Sequence, residues 1–255
     1  MNTFIYNILI FFYGITQDMG VAVILLTVLT RLIFWPLTSK TLKNQDKMRA
    51  LQSEMKKVKE RAGGNREEES KMLLELYKEK GVNPLTSCLP LLVQLPVLFA
   101  LFAVFQNLAV EPDRLYGFVA GLPFVAKVVD GSIPFDATFL SIIDLAKIPW
   151  EGSSFYVPGI ILALLAGATQ YIQTKMLIPK KDETETQNIT KQMNYIFPIL
   201  ITGFALKSRL ALGLYWVLFN ILSIIQQQMV MGSEVTILKK LRIQGWKKRN
   251  AENKS

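Results

Sequence analysis

The chain has 255 residues, is 51% hydrophobic and has a mean hydropathy of +0.28, more apolar than an ordinary soluble domain. Its formal net charge is +9, it has no histidine, and its one cysteine is Cys88. That excludes an intramolecular disulfide and leaves no His, Cys, Asp or Glu cluster with metal-ligand spacing, so neither a metal nor a cofactor is expected.

The N-terminal segment 1–18 is apolar over roughly 11 residues, too short to span a bilayer. It lacks a basic leader (the first cation is Arg31), a small-x-small cleavage site and a lipid-accepting cysteine. The expectation is an interfacial helix on the outer side, favoured over a partial span, and not a cleaved signal peptide. A first span is read at 19–39, in "GVAVILLTVLTRLIFWPLTSK" from Gly20 to Lys40. Further spans are read at 86–109, 156–178, 193–207 and 211–231, about 20 residues being needed to cross the hydrocarbon. Between them lie a charged excursion at 41–83, an outer loop at 111–155, a short loop at 179–191 and a basic tail at 232–255.

In the excursion, Met48, Leu51, Met55 and Val58 recur at 3,4,3 spacing. "AGGN" then breaks the helix, and Glu67, Glu68 and Glu69 favour the positive end of a second one. Met72, Leu73, Leu76 and Tyr77 continue the apolar stripe until Gly81. The reading is a cytosolic helical hairpin with one thin seam, either simply solvated or a docking arm for lipid headgroups or ribosomal RNA.

Orientation follows from lysine and arginine. They crowd segment 40–80 and the tail, whereas 111–155 holds only Arg114, Lys127 and Lys147. The positive-inside rule places the N-terminus outside and the C-terminus in the cytosol. Lys207 and Arg209, in the tight outer turn before the last span, run against this rule.

None of the five spans contains Asp or Glu, yet the first carries Arg31. A guanidinium at that depth costs about 2.5–3.5 kcal/mol on insertion scales. Snorkelling to the level of Lys40 requires covering roughly 13 Å of helix rise, so a hydrated cavity is favoured. Thr27 shares Arg31's helix face and Thr30 lies beside it. Other polar span residues are Gln94, Thr169, Gln170, Gln173, Asn220, Ser223, Gln226 and Gln227; singly, such residues serve as interhelical glue.

Three blocks resemble a known family: "TRLIFWPLTSKTLKNQDKMRALQ", "YKEKGVNPLTSCLPLLVQLPVLFALF" and "QMNYIFPILITGFALKSRLALGLYWVLFNILSIIQQQ". They look like the signature blocks of the YidC membrane insertases, a family that includes the mitochondrial oxidase-assembly and chloroplast albino-type insertases. The resemblance runs from about residue 4 to residue 231.

It implies an all-α integral membrane protein with five transmembrane helices around a hydrophilic groove, plus the cytosolic hairpin. The groove opens to the cytosol and to lipid and is closed outside. Arg31 matches the family's groove arginine, and Thr27 and Trp216 match substrate-contacting positions. The chain reads as the short form, without the large periplasmic domain of many members. It departs at Arg209-Leu210-Ala211, where a Pro-Ser/Ala-Gly step is usual.

The implied function is a membrane protein insertase and chaperone in a bacterial plasma membrane. The groove, lined by Arg31, Thr27, Thr30, Gln94, Gln170, Gln173, Trp216, Asn220 and Gln227, would carry short polar segments of nascent membrane proteins across. Their hydrophobic helices would then leave sideways into lipid. Expected partners are those clients, the bilayer, the ribosome through hairpin and tail, and the general secretion channel. No small-molecule substrate and no enzymatic step are expected. Two rivals are a secondary transporter, disfavoured by the acid-free spans, and a passive scaffold.

Overall fold

The computed structural model describes residues 2–83, 89–106, 108–177 and 185–231, of which 49, 52, 89–93, 177 and 185–193 are described by their backbone alone. The basic tail, Thr86, Ser87, Cys88 and loop residues 179–184 lie outside what is described. The described chain is mostly helical. Three helices are long and apolar enough to cross a membrane, at Met19–Met48, Val157–Met176 and Leu210–Met231. Shorter apolar helices occupy Asn2–Thr16, Gln94–Gln106 and Asn194–Lys207.

Helix α1 (Asn2–Thr16) buries Tyr6, Leu9, Ile10 and Tyr13 on one face, the i, i+3, i+4, i+7 stripe of an amphipathic helix. It lies against α2 (Met19–Ala50) and α5 (Leu89–Gln106). Gln17, with φ of 58°, turns the corner. Asp18 then caps α2, its Oδ1 accepting from the Val21 N–H at 2.9 Å. Helix α2 does not stop at the end of its apolar part. It runs unbroken through the Lys-rich polar stretch to Ala50, about 48 Å in all.

Helices α3 (Gln52–Arg61) and α4 (Arg66–Glu79) pack together, with Leu51, Ala62 and Leu76 buried. Gly63 and Gly64 take positive φ in the connection, and the Asn65 side chain caps α4 by accepting from the N–H groups of Glu67 and Glu68.

Helix α10 (Leu210–Met231) is the centre of the bundle. It packs on α2 along one side and on α8 (Val157–Leu177) along another, and α9 (Glu185–Lys207) packs outside α8. The α8–α9 seam is close: a Cβ on Gly167 would run into Thr202 Oγ1 and come within 3.2 Å of the Pro198 carbonyl oxygen.

The segment between α5 and α8 is structured. It contains a 3-10 turn at Pro112–Arg114, α6 (Gly117–Ala120), α7 (Pro123–Val129) and two small hairpins. The hairpins pair β1 (Thr138–Phe139) with β2 (Ile143–Asp144) and β3 (Trp150–Glu151) with β4 (Ser154–Phe155). Residues 136–156 form a strap across one end of the bundle. The Asp136 N–H donates to Tyr13 Oη of α1 at 3.1 Å. The Leu140 N–H donates to Asp18 Oδ2, and Phe139 seats against Gly20, both at the start of α2. Leu145 and Lys147 carbonyls accept from the Ala211 and Leu210 N–H groups at the start of α10. Pro149 lies on Gly159 near the start of α8, where a Cβ would approach its ring at 2.8 Å.

The two cations that run against the charge rule are both engaged here. Arg209 donates from Nε to the Gln106 carbonyl and from Nη1 to the Ala146 carbonyl, each at 2.7 Å. Lys207 Nζ sits 4.5 Å from the centre of the Trp150 ring. Arg209-Leu210-Ala211 is therefore the knot that joins the end of α5, the strap and the start of α10.

Candidate functional site

Arg31 sits 12 residues into α2, roughly 18 Å of rise from its start and well inside the apolar window. It is 8% exposed. Its Nη2 donates to Gln226 Oε1 on α10 at 3.0 Å, and its guanidinium carbon lies 4.6 Å from the centre of the Phe219 ring. Phe219 and Gln226 are seven residues apart and so share one face of α10. Gln226 is itself fully used: its Nε2 reaches the Trp35 carbonyl, Thr38 Oγ1 and Ser39 Oγ, at 3.1, 2.8 and 2.9 Å. Arg31 Nε is buried and has no hydrogen-bond partner among the described residues. No carboxylate among them pairs with Arg31 either. The cation is held by one neutral amide and one ring face, with most of its five donors unspent.

A second polar set lies on the adjacent face of α10, toward α8. Trp216 Nε1 donates to Gln170 Oε1 at 3.0 Å, and Gln170 Nε2 donates to Gln173 Oε1 at 2.9 Å and to Thr174 Oγ1 at 3.2 Å. Asn220 Nδ2 donates to Thr169 Oγ1 at 3.1 Å and to the Ala166 carbonyl at 3.3 Å. Asn220 Oδ1 and Gln227 Oε1, both buried, have no partner among the described residues, and neither does Asn194 Oδ1 on α9. Native interiors leave few such groups, and each calls for an explanation.

Residues 11–236 match the family described as 60Kd inner membrane protein. The chain belongs to that family. Among its relatives, a Syntrophobacter fumaroxidans protein is 35% identical over 224 residues, covering 88% of this chain and 36% of its own length. Proteins from Nitratidesulfovibrio vulgaris (35% over 221 residues) and Caulobacter vibrioides (31% over 233 residues) cover 87% and 89% of this chain, and 36% and 35% of their own. All three are named membrane protein insertase YidC. The chain thus spans about a third of the length of the curated relatives it matches.

In this member of the 60Kd inner membrane protein family, the residues expected to share one site fall into two hydrogen-bonded sets joined through α10. Arg31 belongs to one; Gln170, Gln173, Trp216 and Asn220 belong to the other. Thr27 is fully buried and its hydroxyl donates to the Val23 carbonyl at 2.6 Å; Thr30, half-buried, donates to the Thr27 carbonyl at 2.9 Å. Gln94 donates to Tyr215 Oη at 2.7 Å, tying α5 to α10. Trp216 presents its N–H to α8 and forms a T-shaped ring pair with Phe204 of α9, centres 6.4 Å apart, so it faces α8 and α9 and not the gap between α2 and α10.

That Gln226 is Arg31's partner is not legible in the sequence. The run Gln226-Gln227-Gln228 was visible, but helical phase alone does not tell which of the three amides faces α2. Thr38 and Ser39 share Gln226 with Arg31.

Proposed function

We propose that this chain is a membrane protein insertase that carries short polar, especially acidic, segments of client proteins partway through the bilayer. The observation that carries the reading is Arg31: a buried cation deep in an apolar helix, paired only with a neutral amide and an aromatic face. A structural ion pair would bring its own carboxylate; a cation left with spare donors is suited to an anion that arrives and leaves. Asn220 Oδ1 and Gln227 Oε1 extend the row of unspent polar groups along α10. Water and the client's polar backbone are their partners in this account, since a polar segment without hydrogen-bond partners is prohibitive in hydrocarbon. The name carried by the relatives supports the same reading.

In this reading α2, α5, α8, α9 and α10 are the five spans. Helices α5 and α9, with 18 and 23 residues, rise roughly 27 and 35 Å, enough for a core about 30 Å thick. The strap closes the outer end, where the N-terminus also lies. The hairpin α3–α4 and the C-terminus are cytosolic, and the membrane is the bacterial inner membrane. Arg31, Thr30, Gln94, Gln170, Gln173, Asn220 and Gln227 line the polar path, with Thr27 and Trp216 supporting it from the packed side. Clients and lipid are the essential partners. The hairpin and basic tail are contacts for the ribosome, and the general secretion channel is a neighbour.

Photo-crosslinking to a stalled nascent chain tests the path. Probes at the half-buried Thr30 and Gln173 are expected to give client adducts, whereas one at Ile199 on the outer face of α9, 71% exposed, is not. Adducts at Ile199 alone, or none at Thr30 and Gln173 with normal expression, would overturn the path.

A further inference from the structure

The strap does more than close one end of the bundle: it holds two apolar tips outward. At the first, the Ile142 N–H donates to the Phe139 carbonyl at 3.1 Å, and the two residues between, Leu140 and Ser141, both take positive φ, 51° and 56°. Such a turn favours asparagine and glycine. Here its two central residues are Leu140, 60% exposed, and Ser141, and Ile142, 79% exposed, closes it. Strain of this kind persists only where the surroundings impose it. The imposing group is Asp18, whose Oδ1 caps α2 while its Oδ2 accepts from the Leu140 N–H. The tip is thus fixed at the level where α2 begins.

The second tip is the β3–β4 hairpin. Trp150 and Phe155 pack ring to ring at 5.6 Å and are 41% and 60% exposed. Lys207 covers Trp150 and its Nζ also reaches the Trp150 carbonyl at 3.4 Å. Phe155 continues directly into the exposed apolar stripe of α8 formed by Val157, Ile161 and Leu164. An amphipathic aromatic beside a lysine at the end of an apolar helix is the arrangement favoured at the headgroup level of a bilayer.

We infer that the strap is a two-pronged anchor whose Leu140–Ile142 and Trp150–Phe155 tips insert into the outer-leaflet interface of a phospholipid bilayer. The bilayer is the occupant because the first tip is bonded to the start of α2 and the second runs into α8, and because the large exposed side chains of both, Leu140, Ile142, Trp150 and Phe155, are apolar; the exposed Ser141, Glu151, Ser153 and Ser154 and the cation Lys207 are left to the headgroup level. The inference rests on the spanning reading of α2, α8 and α9. Its consequence is mechanical: the strap also grips the starts of α2 and α10, so lipid contact at its tips holds in place the two helices that carry Arg31 and Gln226.

The test uses the full chain reconstituted in phosphatidylglycerol–phosphatidylethanolamine vesicles. Cys88→Ser removes the only cysteine, and an environment-sensitive fluorophore is placed singly at Ile142→Cys, Phe155→Cys, the strap-proximal but exposed Ser132→Cys, and Ile199→Cys on α9. The labels at 142 and 155 are expected to be quenched by nitroxides placed high on the lipid chains and shielded from aqueous iodide, with 132 showing the reverse. If 142 and 155 behave like 132 while 199 is quenched by lipid nitroxide, the anchor is overturned and the spanning reading stands. If 199 is also quenched only by iodide, the spanning reading fails and the anchor with it. Shielding of 142 and 155 from both quenchers means that protein covers them, and lipid quenching at one tip alone removes the two-pronged anchor; either result contradicts the inference.

Discussion

The residue that decides the chemistry is Gln226 as much as Arg31. A lone guanidinium would collapse toward the nearest acceptor; the amide gives it a fixed neutral one, so position is held without neutralising charge. Replacing Gln226 with Glu puts a carboxylate about 3 Å from Nη2. The variant is expected to keep its fold in detergent: the new ion pair with Arg31 offsets the lost amide bond to the Trp35 carbonyl, and the Thr38 and Ser39 hydroxyls can turn to donate to the carboxylate. It should nevertheless insert an acidic-leader client less well, because Arg31 is now paired internally. Unchanged insertion by Gln226→Glu would show that Arg31 is only structural. Much of this centre was legible in the chain: an arginine in an acid-free apolar run declares itself, because nothing nearby can neutralise it. Its partner was not, because an amide 195 positions away is chosen by how α2 and α10 cross, and three successive glutamines offer equivalent candidates. The same holds for Thr27: its spacing puts it on Arg31's face, but whether a hydroxyl points at a neighbour or back at its own helix is decided by packing.

At the scale of elements, helix–helix approach in a membrane depends on small residues, because lipid is as apolar as the side chains it replaces. Gly167 is such a point for α8 and α9. Gly167→Ala is expected to lower stability by about 1–3 kcal/mol through overpacking against Thr202. Adding Thr202→Ala is expected to recover part of the loss, a coupling that thermal unfolding of the single and double variants measures. Additive losses would place the clash elsewhere. Apolar stretches gave the cores of the long helices away in sequence, since few other patterns sustain such runs. Their ends were less visible. Helix α2 continues to Ala50 because Lys40, Lys43, Gln45 and Lys47 are good helix formers, so the change from apolar to charged marks a change of solvent and not of backbone. The hairpin connection was legible for the opposite reason: "AGGN" supplies both the positive-φ glycines and the Asn65 cap. By its sequence the strap reads as loop, since its order comes from long-range bonds to Tyr13, Asp18 and Arg209 that no local pattern announces. Arg209, which departs from the family's usual step, becomes intelligible only with its two carbonyl partners in view.

Across the whole molecule, the central helix α10 divides the labour. One face holds Arg31 in place through Gln226 and Phe219; the adjacent face carries the Gln170, Trp216 and Asn220 network; and its first residues are bonded into the strap. In the proposed function, a cation supported in this way, about 18 Å from the strap end of α2, draws a negative segment inward and no further. The most direct test of that claim is a charge exchange between protein and client. Insertion of a single-span client with an acidic leader is followed by protease protection in cells depleted of other insertases, for Arg31, Arg31→Lys and Arg31→Glu. The account predicts that Arg31→Lys retains insertion, that Arg31→Glu abolishes it, and that a client whose leader acids are replaced by lysine restores insertion in the Arg31→Glu protein. Equal insertion of both clients by all three proteins would contradict it.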